Sequence, residues 1–239
     1  MEFEEFKREF EKYLAKMNIS LLKEQYGQFY AYMELLIEWN EKMNLTAITD
    51  PKEIILKHFV DSLTIAKYVK EYKSIIDMGT GAGFPGIPIK IYRKDVKVVL
   101  ADSLNKRIKF LDEVIDKLKL ENVETIHCRA EELGKNKQYR EKFDYATSRA
   151  VANLSTLSEY LMPFVKLNGK CIFMKTIEVE EELEKAKKAI KTLGGKIEKV
   201  DKFEIPESDL GRSIIIVKKE KITPSKFPRK PGTPAKEPL

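Results

Sequence analysis

Asp77-Met78-Gly79-Thr80-Gly81-Ala82-Gly83-Phe84-Pro85-Gly86 is the stretch on which the fold turns. An apolar run, Ser74 to Met78, leads into it, and Ile87, Ile89 and Ile91 follow. A short strand therefore passes through a glycine turn into a helix over Gly86 to Tyr92. Glycines at such a turn remove the Cβ atoms that would hold a ligand off the backbone, and the helix start offers unpaired N–H groups, so a nucleotide-like ligand is expected. Two classes fit. Gly81, Gly83 and Gly86 satisfy G-x-G-x-x-G, with Asp102 near the spacing of a ribose-binding acid, which suits a nicotinamide dinucleotide. Asp77 favours the other class. A carboxylate at the strand end repels a pyrophosphate and attracts the cationic methionine portion of S-adenosylmethionine, and Pro85 and Pro88 shorten the helix turn a pyrophosphate needs.

Working outward, short apolar runs alternate with longer amphipathic ones. Ser74–Met78, Val96–Ala101, Val123–Cys128, Phe143–Ser148, Lys170–Lys175, Lys196–Phe203 and Ser213–Lys218 read as strands, and Gly86–Tyr92, Leu104–Lys119, Asn153–Val165 and Val179–Leu193 as helices. This is an α/β pattern with a parallel sheet covered by helices on both faces. No helix separates the last two strands, so they form an antiparallel hairpin at the sheet edge. Upstream, Phe3, Phe6, Phe10, Tyr13, Leu14 and Met17, then Leu22, Tyr26, Phe29, Met33, Leu36 and Ile37, recur at helical spacing. Asn44 to Asp50 interrupts them. Asp50-Pro51 supplies an N-cap and a first-turn proline for a third helix, broken near His58. The chain divides into a helical cap (1–72), a sheet domain (73–222) and a tail (223–239).

The 239 residues, 43% hydrophobic and 34% charged, are those of a globular protein. The longest run free of Asp, Glu, Lys and Arg, Met78 to Ile89, is too short to span a bilayer. The acidic N-terminus is unlike a signal peptide, so a cytoplasmic location away from membranes is expected. Cys128 and Cys171 are too few for a disulfide framework and lack a metal-binding partner, so they read as core thiols, with no metal. From Lys218 onward seven basic residues face Glu220 and Glu237, which places five of the six net positive charges in the last 22 residues. Such a tail suits a polyanion such as RNA, or merely stays solvated. Its five prolines (Pro224, Pro228, Pro231, Pro234, Pro238) argue against regular helix or central strand.

Ligands of open parallel sheets lie beyond the carboxyl ends of the strands. Asp77, Gly79, Gly81, Asp102, Ala130, Glu131 and Arg149 are thereby grouped, Asp102 to accept from ribose hydroxyls and Ala130 with Glu131 to meet an adenine edge. Asp102 also fits the N-cap of the next helix, and Arg149 fits a structural pair with Glu131 or Glu159. Lys106, Arg107, Arg129, Lys175 and Arg212, with Arg229 and Lys230 of the tail, offer a basic rim for RNA. His58 reads as structural. The chain lacks an Asn/Asp-Pro-Pro-aromatic element and a cysteine set for attack, so the acceptor is one needing no activation. A ring nitrogen such as guanine N7 attacks directly, and no general base is expected.

Trp39-Asn40-Glu41-Lys42-Met43-Asn44-Leu45-Thr46, His58-Phe59-Val60-Asp61-Ser62-Leu63, the glycine loop, Ala101-Asp102-Ser103, Ser148-Arg149-Ala150-Val151 and Phe227-Pro228-Arg229-Lys230-Pro231-Gly232 resemble, in order, the glucose-inhibited division protein B family of bacterial ribosomal RNA methyltransferases. The resemblance covers nearly the whole chain. It implies a class I S-adenosylmethionine-dependent methyltransferase fold, Rossmann-like with a seven-stranded mostly parallel sheet, acting as a monomer on 16S rRNA or the small ribosomal subunit at N7 of a guanine in the decoding-region loop. It also implies cofactor contacts at Gly79, Phe84, Asp102 to Leu104, Ala130, Glu131 and Arg149. Thr176 stands where many relatives carry glycine. A nicotinamide-dependent oxidoreductase and an RNA-binding module with a vestigial cofactor pocket are the alternatives.

Overall fold

The structure is a computed structural model, and it describes residues 1–149 and 152–239. The cap begins with α1 (Phe3–Lys16) and α2 (Lys23–Met43), whose apolar stripes meet face to face: Phe6, Phe10 and Leu14 of α1 and Phe29, Met33 and Leu36 of α2 are all buried. The Gln25 side chain reaches back to accept from the Leu22 amide at 2.7 Å, and Asn44, in the left-handed region, ends α2 where the periodicity breaks. Asp50 then accepts from the Glu53 amide at 2.9 Å and Pro51 opens α3 (Pro51–Ile54). The expected break near His58 is a widened π-helical stretch, Ile55–Val60, before α4 (Asp61–Leu63) and a 3₁₀ turn, Ala66–Tyr68. No described helix is long and apolar enough to cross a membrane.

Seven strands follow: β1 (Ser74–Met78), β2 (Lys97–Asp102), β3 (Val123–His127), β4 (Phe143–Ser148), β5 (Val165–Thr176), β6 (Gly195–Glu204) and β7 (Gly211–Lys219), in the order β3-β2-β1-β4-β5-β7-β6. The first five are parallel, while β7 is antiparallel to both β5 and β6. The anticipated hairpin of β6 and β7 is therefore present, with β7 between β5 and β6 and β6 on the edge. Strand order reverses between β1 and β4, which opens a crevice at their carboxyl ends. β5 begins five residues ahead of the predicted Lys170. The preceding helix α8 (Leu154–Leu161) is shorter than predicted, because a 3₁₀ turn through Pro163 (Met162–Phe164) leads straight into the strand.

Strand alternation sorts the side chains into two cores. Ile75, Val98, Leu100, Ile172 and Ile214 point to the face covered by the cap, α5 (Gly86–Tyr92) and α6 (Asn105–Lys117). Ile76, Val99, Ala101, Phe173 and Ile215 point to the face covered by α7 (Ala130–Leu133), α8 and α9 (Glu180–Thr192). The cap shares one hydrophobic cluster with the sheet, and Phe59 is its hub, with ring centroids 5.1 Å from Phe29, 5.4 Å from Tyr32, 6.0 Å from Phe10 and 6.2 Å from Phe84.

The tail is not a free arm but lies docked on the second face, with Lys226, Lys230 and Lys236 left exposed. Thr223 and Phe227 are buried, and the Arg140 guanidinium donates to the carbonyls of Gly134, Thr223 and Phe227 at 2.8 Å each. Arg229 meets the fully buried Glu159 through Nε at 3.0 Å and Nη2 at 2.7 Å. The prolines also permit one helical turn, α10 (Thr233–Lys236), because Pro234 sits in its first turn, where no N–H is required.

Because Phe59 touches cap and sheet together, Phe59→Ala is expected to cost about 3 to 5 kcal/mol. In urea it should shift a single transition detected alike by tryptophan fluorescence, from Trp39 in the cap, and by circular dichroism. Two resolved transitions would show that the cap unfolds separately.

Candidate functional site

The glycine loop owes its shape to one carboxylate. Asp77, at the end of the central strand, is fully buried, and its Oδ2 accepts from the Thr80 hydroxyl at 2.7 Å and the Gly86 amide at 2.8 Å. Gly79, Gly81 and Gly83 all have positive φ, and a Cβ on Gly83 would stand 2.7 Å from both Ile87 Cγ1 and the Tyr32 hydroxyl. From the cap, Tyr32 donates to the Ala82 carbonyl. Asp77 lies buried beneath the loop and gives it Oδ2, while Oδ1 has no hydrogen-bond partner among the described residues. The start of α5, with the Gly86 amide bound to Asp77 and the Ile87 amide to Gly83, offers no free N–H pair to a pyrophosphate, which removes the physical basis of the dinucleotide reading.

Beyond the ends of β1, β2, β3 and β4 lies a cavity of about 300 Å³. Gly79, Asp102, Ser103, Ala130, Glu131 and Arg129 line it, so the structure gathers much of the predicted cofactor set. Asp102 is 2% exposed; its Oδ2 accepts from the Gly81 amide at 2.9 Å and its Oδ1 from the Leu104 amide at 2.9 Å, with Arg107 Nη1 at 3.1 Å from Oδ2. Leu104, not Asp102, is the N-cap residue of α6. Ser148 adds a hydroxyl on the same wall with no hydrogen-bond partner among the described residues. Cys128, expected in the core, is half-buried and lines the cavity, whereas Cys171 is buried as expected. Burial and the neighbouring Glu132 push the Cys128 thiol up, so it stays protonated and is a poor nucleophile.

Phe84 and Arg149 lie elsewhere. Phe84 is buried and stacks on His58, with ring centroids 4.4 Å apart, and Arg149 covers its ring at 4.8 Å. Arg149 pairs neither with Glu131 nor with Glu159. It donates to Asp61 Oδ2, the Lys57 carbonyl and His58 Nδ1, each at 3.0 Å, and it lines a second cavity of about 500 Å³ at the ends of β4 and β5. Arg212 closes the other side of Asp61, Nε to Oδ1 at 2.7 Å, and Lys175 reaches Glu182 at 2.6 Å. A guanidinium only donates, so His58 Nδ1 must accept and its proton sits on Nε2, 3.0 Å from the Thr46 hydroxyl. Burial first, then Arg149, lowers the His58 pKa to about 3, so the ring is neutral and structural, as expected.

Among the seven residues read as an RNA rim, Arg107, Lys175, Arg212 and Arg229 are each tied to a carboxylate, because packing supplies an acid for each. Lys106 donates to the Met43 carbonyl at 2.7 Å. Arg129 and Lys230 are exposed, with no ion pair among the described residues. Sequence reasoning missed Asp61, Ser148 and Gly232. Asp61 carried a signal, an acid three residues after His58 on an otherwise apolar helical face.

Comparison with known proteins follows the same lines. The family profile described as rRNA small subunit methyltransferase G matches residues 25–211. Ribosomal RNA small subunit methyltransferase G of Clostridium novyi is 54% identical over 217 residues, 90% of this chain and 89% of that protein. Its Listeria monocytogenes counterpart is 51% identical over 233 residues, 97% of this chain and 98% of that one. A SAM-dependent methyltransferase structure from Aquifex aeolicus superimposes with a TM-score of 0.55 at 18% identity, over 74% of this chain and 97% of that chain. The M. jannaschii TYW2 structure in complex with AdoMet gives a TM-score of 0.54 at 20% identity, over 68% and 75%. At these identities the structural likeness bears on the fold.

Two buried groups titrate in opposite senses. Burial raises the Asp77 pKa to about 6, so its contribution to stability is complete below its unfolded value near 3.8 and is lost as pH rises through 6. His58, lowered to about 3, contributes above its unfolded value near 6.5 and loses that contribution as pH falls. Between pH 4 and 6.5, the protein should lose about 2 kcal/mol relative to Asp77→Asn on raising pH, and about 3 kcal/mol relative to His58→Gln on lowering it. Urea titrations at the two pH values measure both; parallel pH dependence in protein and variants would refute the assignments.

Proposed function

The chain belongs to the rRNA small subunit methyltransferase G family, and on that premise we propose that it transfers a methyl group from S-adenosylmethionine to N7 of a guanine in the decoding-region loop of 16S rRNA. The observation that carries this reading is the pair of cavities to which the end of β4 contributes consecutive residues: Ser148 lines the first and Arg149 lines the second. Direct transfer between two bound molecules requires donor and acceptor sites that are neighbours.

The first cavity suits the donor. The Asp102 carboxylate, already set by the Gly81 and Leu104 amides, is the group for ribose hydroxyls. The Ser148 hydroxyl, without a hydrogen-bond partner among the described residues, and the Glu131 carboxylate supply further polar contacts in the same cavity. Bound there, S-adenosylmethionine supplies an electrophilic methyl on a sulfonium. The second cavity suits the acceptor. Lys57, Arg149, Lys175 and Arg212 outnumber Asp61 and Glu182, and Ile48 and Met174 give it apolar walls, a combination fit for a purine base with its phosphate.

The N7 lone pair lies in the plane of the guanine ring and carries no proton, so attack on the methyl needs no general base. The chain's groups agree with that requirement. His58 has Nδ1 occupied by Arg149, Asp61 is held between two guanidiniums, and Cys128 stays protonated. What remains for the protein is to hold two reactants in line. On this reading Arg129, Lys106 and Lys230 at the rim meet the RNA backbone, while Arg149, Lys175 and Arg212 keep the acceptor cavity in shape.

Incubation with labelled S-adenosylmethionine and unmodified small subunits should label 16S rRNA, and chemical cleavage should locate 7-methylguanine in the decoding-region loop. Absence of label in 16S rRNA would remove the reading. Asp102→Ala should weaken donor binding by about 1.5 to 3 kcal/mol, measured by calorimetry, because it deletes charge-assisted hydrogen bonds. An unchanged affinity would exclude Asp102 from the donor site.

A further inference from the structure

The segment after β7 lies outside the 25–211 span that the family profile matches, yet it ends against the donor cavity. Gly232 is one of the residues lining that cavity, and its amide donates to Glu131 Oε1 at 2.8 Å. A positive φ of 83° at Gly232 turns the chain at this point, a conformation glycine adopts without strain. The segment is held on both sides of the turn. Upstream, Glu159 accepts from the Arg229 amide at 2.7 Å as well as from its guanidinium, and Arg229 Nη2 reaches forward to the Glu237 carbonyl at 2.7 Å. Downstream, the Thr156 hydroxyl donates to the Pro234 carbonyl at 2.8 Å, which ties α10 to α8.

We propose that the Arg229–Gly232 segment is a positioning element of the donor site, its Gly232 amide orienting the Glu131 carboxylate and its backbone completing the cavity wall, so that donor affinity depends on tail docking. This rests on the reading of the first cavity as the S-adenosylmethionine site. Glu131 projects from a helix of only four residues, which by itself fixes a side chain poorly. The hydrogen bond from Gly232 holds one carboxylate oxygen, so the other is presented to the ligand in a set direction. Arg229 acts at one remove. Its bidentate grip on a buried carboxylate sets where the chain reaches Gly232, and a carboxylate buried without it would have no equivalent partner. Coupling of this kind is reciprocal: if docking favours the donor, the donor must favour docking.

The test uses the full-length protein and S-adenosylhomocysteine as probe. Arg229→Gln should raise the probe's dissociation constant about tenfold and raise KM for S-adenosylmethionine correspondingly, while KM for the small subunit stays where it was. Arg229→Lys, which retains the charge against Glu159 but loses the fork, should raise it about threefold, and it serves if the glutamine variant does not fold. In the unaltered chain, hydrogen exchange at residues 229–233 should slow several-fold more on adding the probe than exchange in the β6–β7 hairpin. A folded variant with unaltered probe affinity, or exchange in the tail that slows no more than in the hairpin, would overturn the proposal. Failure of the unaltered chain to bind S-adenosylhomocysteine would instead overturn the reading of the cavity itself.

Discussion

Burying the Asp77 carboxylate at the end of the central strand constrains everything around it. Its Oδ2 receives the Thr80 hydroxyl and the Gly86 amide, which ties Thr80 of the loop to the first residue of the following helix. The close approach leaves no room for side chains: a Cβ on Gly86 would lie 2.3 Å from Leu100 Cδ2 and 3.0 Å from Asp77 Oδ2 itself. With the loop closed in this way, the Gly79 amide reaches the Ala101 carbonyl at 2.8 Å and the Gly81 amide reaches Asp102 at 2.9 Å. The acid that lines the cavity, Asp102, is thus held by a loop that the buried Asp77 closes. Desolvation opposes the charge on Asp77, and two hydrogen bonds to the charged form offset part of that cost.

The cap carries the same constraint across to the second cavity. Tyr32 binds the Ala82 carbonyl, and Phe84 of the loop stacks on His58, which accepts from Arg149, which in turn shares Asp61 with Arg212. Each link is a contact between elements distant in the chain, and together they fix the floor of one cavity relative to the wall of the other. The widened helical stretch at Ile55–Val60 belongs to this arrangement, since Ile55, Phe59 and Val60 fill the core while His58 lines the cavity. The neutral state of His58 follows: an imidazolium there would face a guanidinium at hydrogen-bond distance.

Five of six net positive charges lie in the last 22 residues, yet Arg229 among them is neutralised by Glu159, a residue 70 positions earlier. The predicted rim loses Arg107 to Asp102, Lys175 to Glu182 and Arg212 to Asp61 for the same reason. Summed charge counts groups irrespective of neighbours, and a folded chain pairs those it buries.

The strands, the glycine loop and the placement of Asp102, Ser103, Ala130 and Glu131 at strand ends were legible in the sequence, because alternation, helical periodicity and tolerance of positive φ are imposed by residues within a few positions of one another. The seven strands accordingly lie within a few residues of their expected bounds. Tertiary structure alone decided that Asp77 and Phe84 support the loop from below, that Arg149 serves the neighbouring cavity, and that Gly232 closes the first one. These depend on partners 88 positions away for Arg149 and Asp61, 151 for Arg212 and Asp61, and 101 for Gly232 and Glu131. Nothing in local spacing encodes such pairings; they follow from which faces the packed sheet brings together, and from the need of every buried charge to find a counterpart.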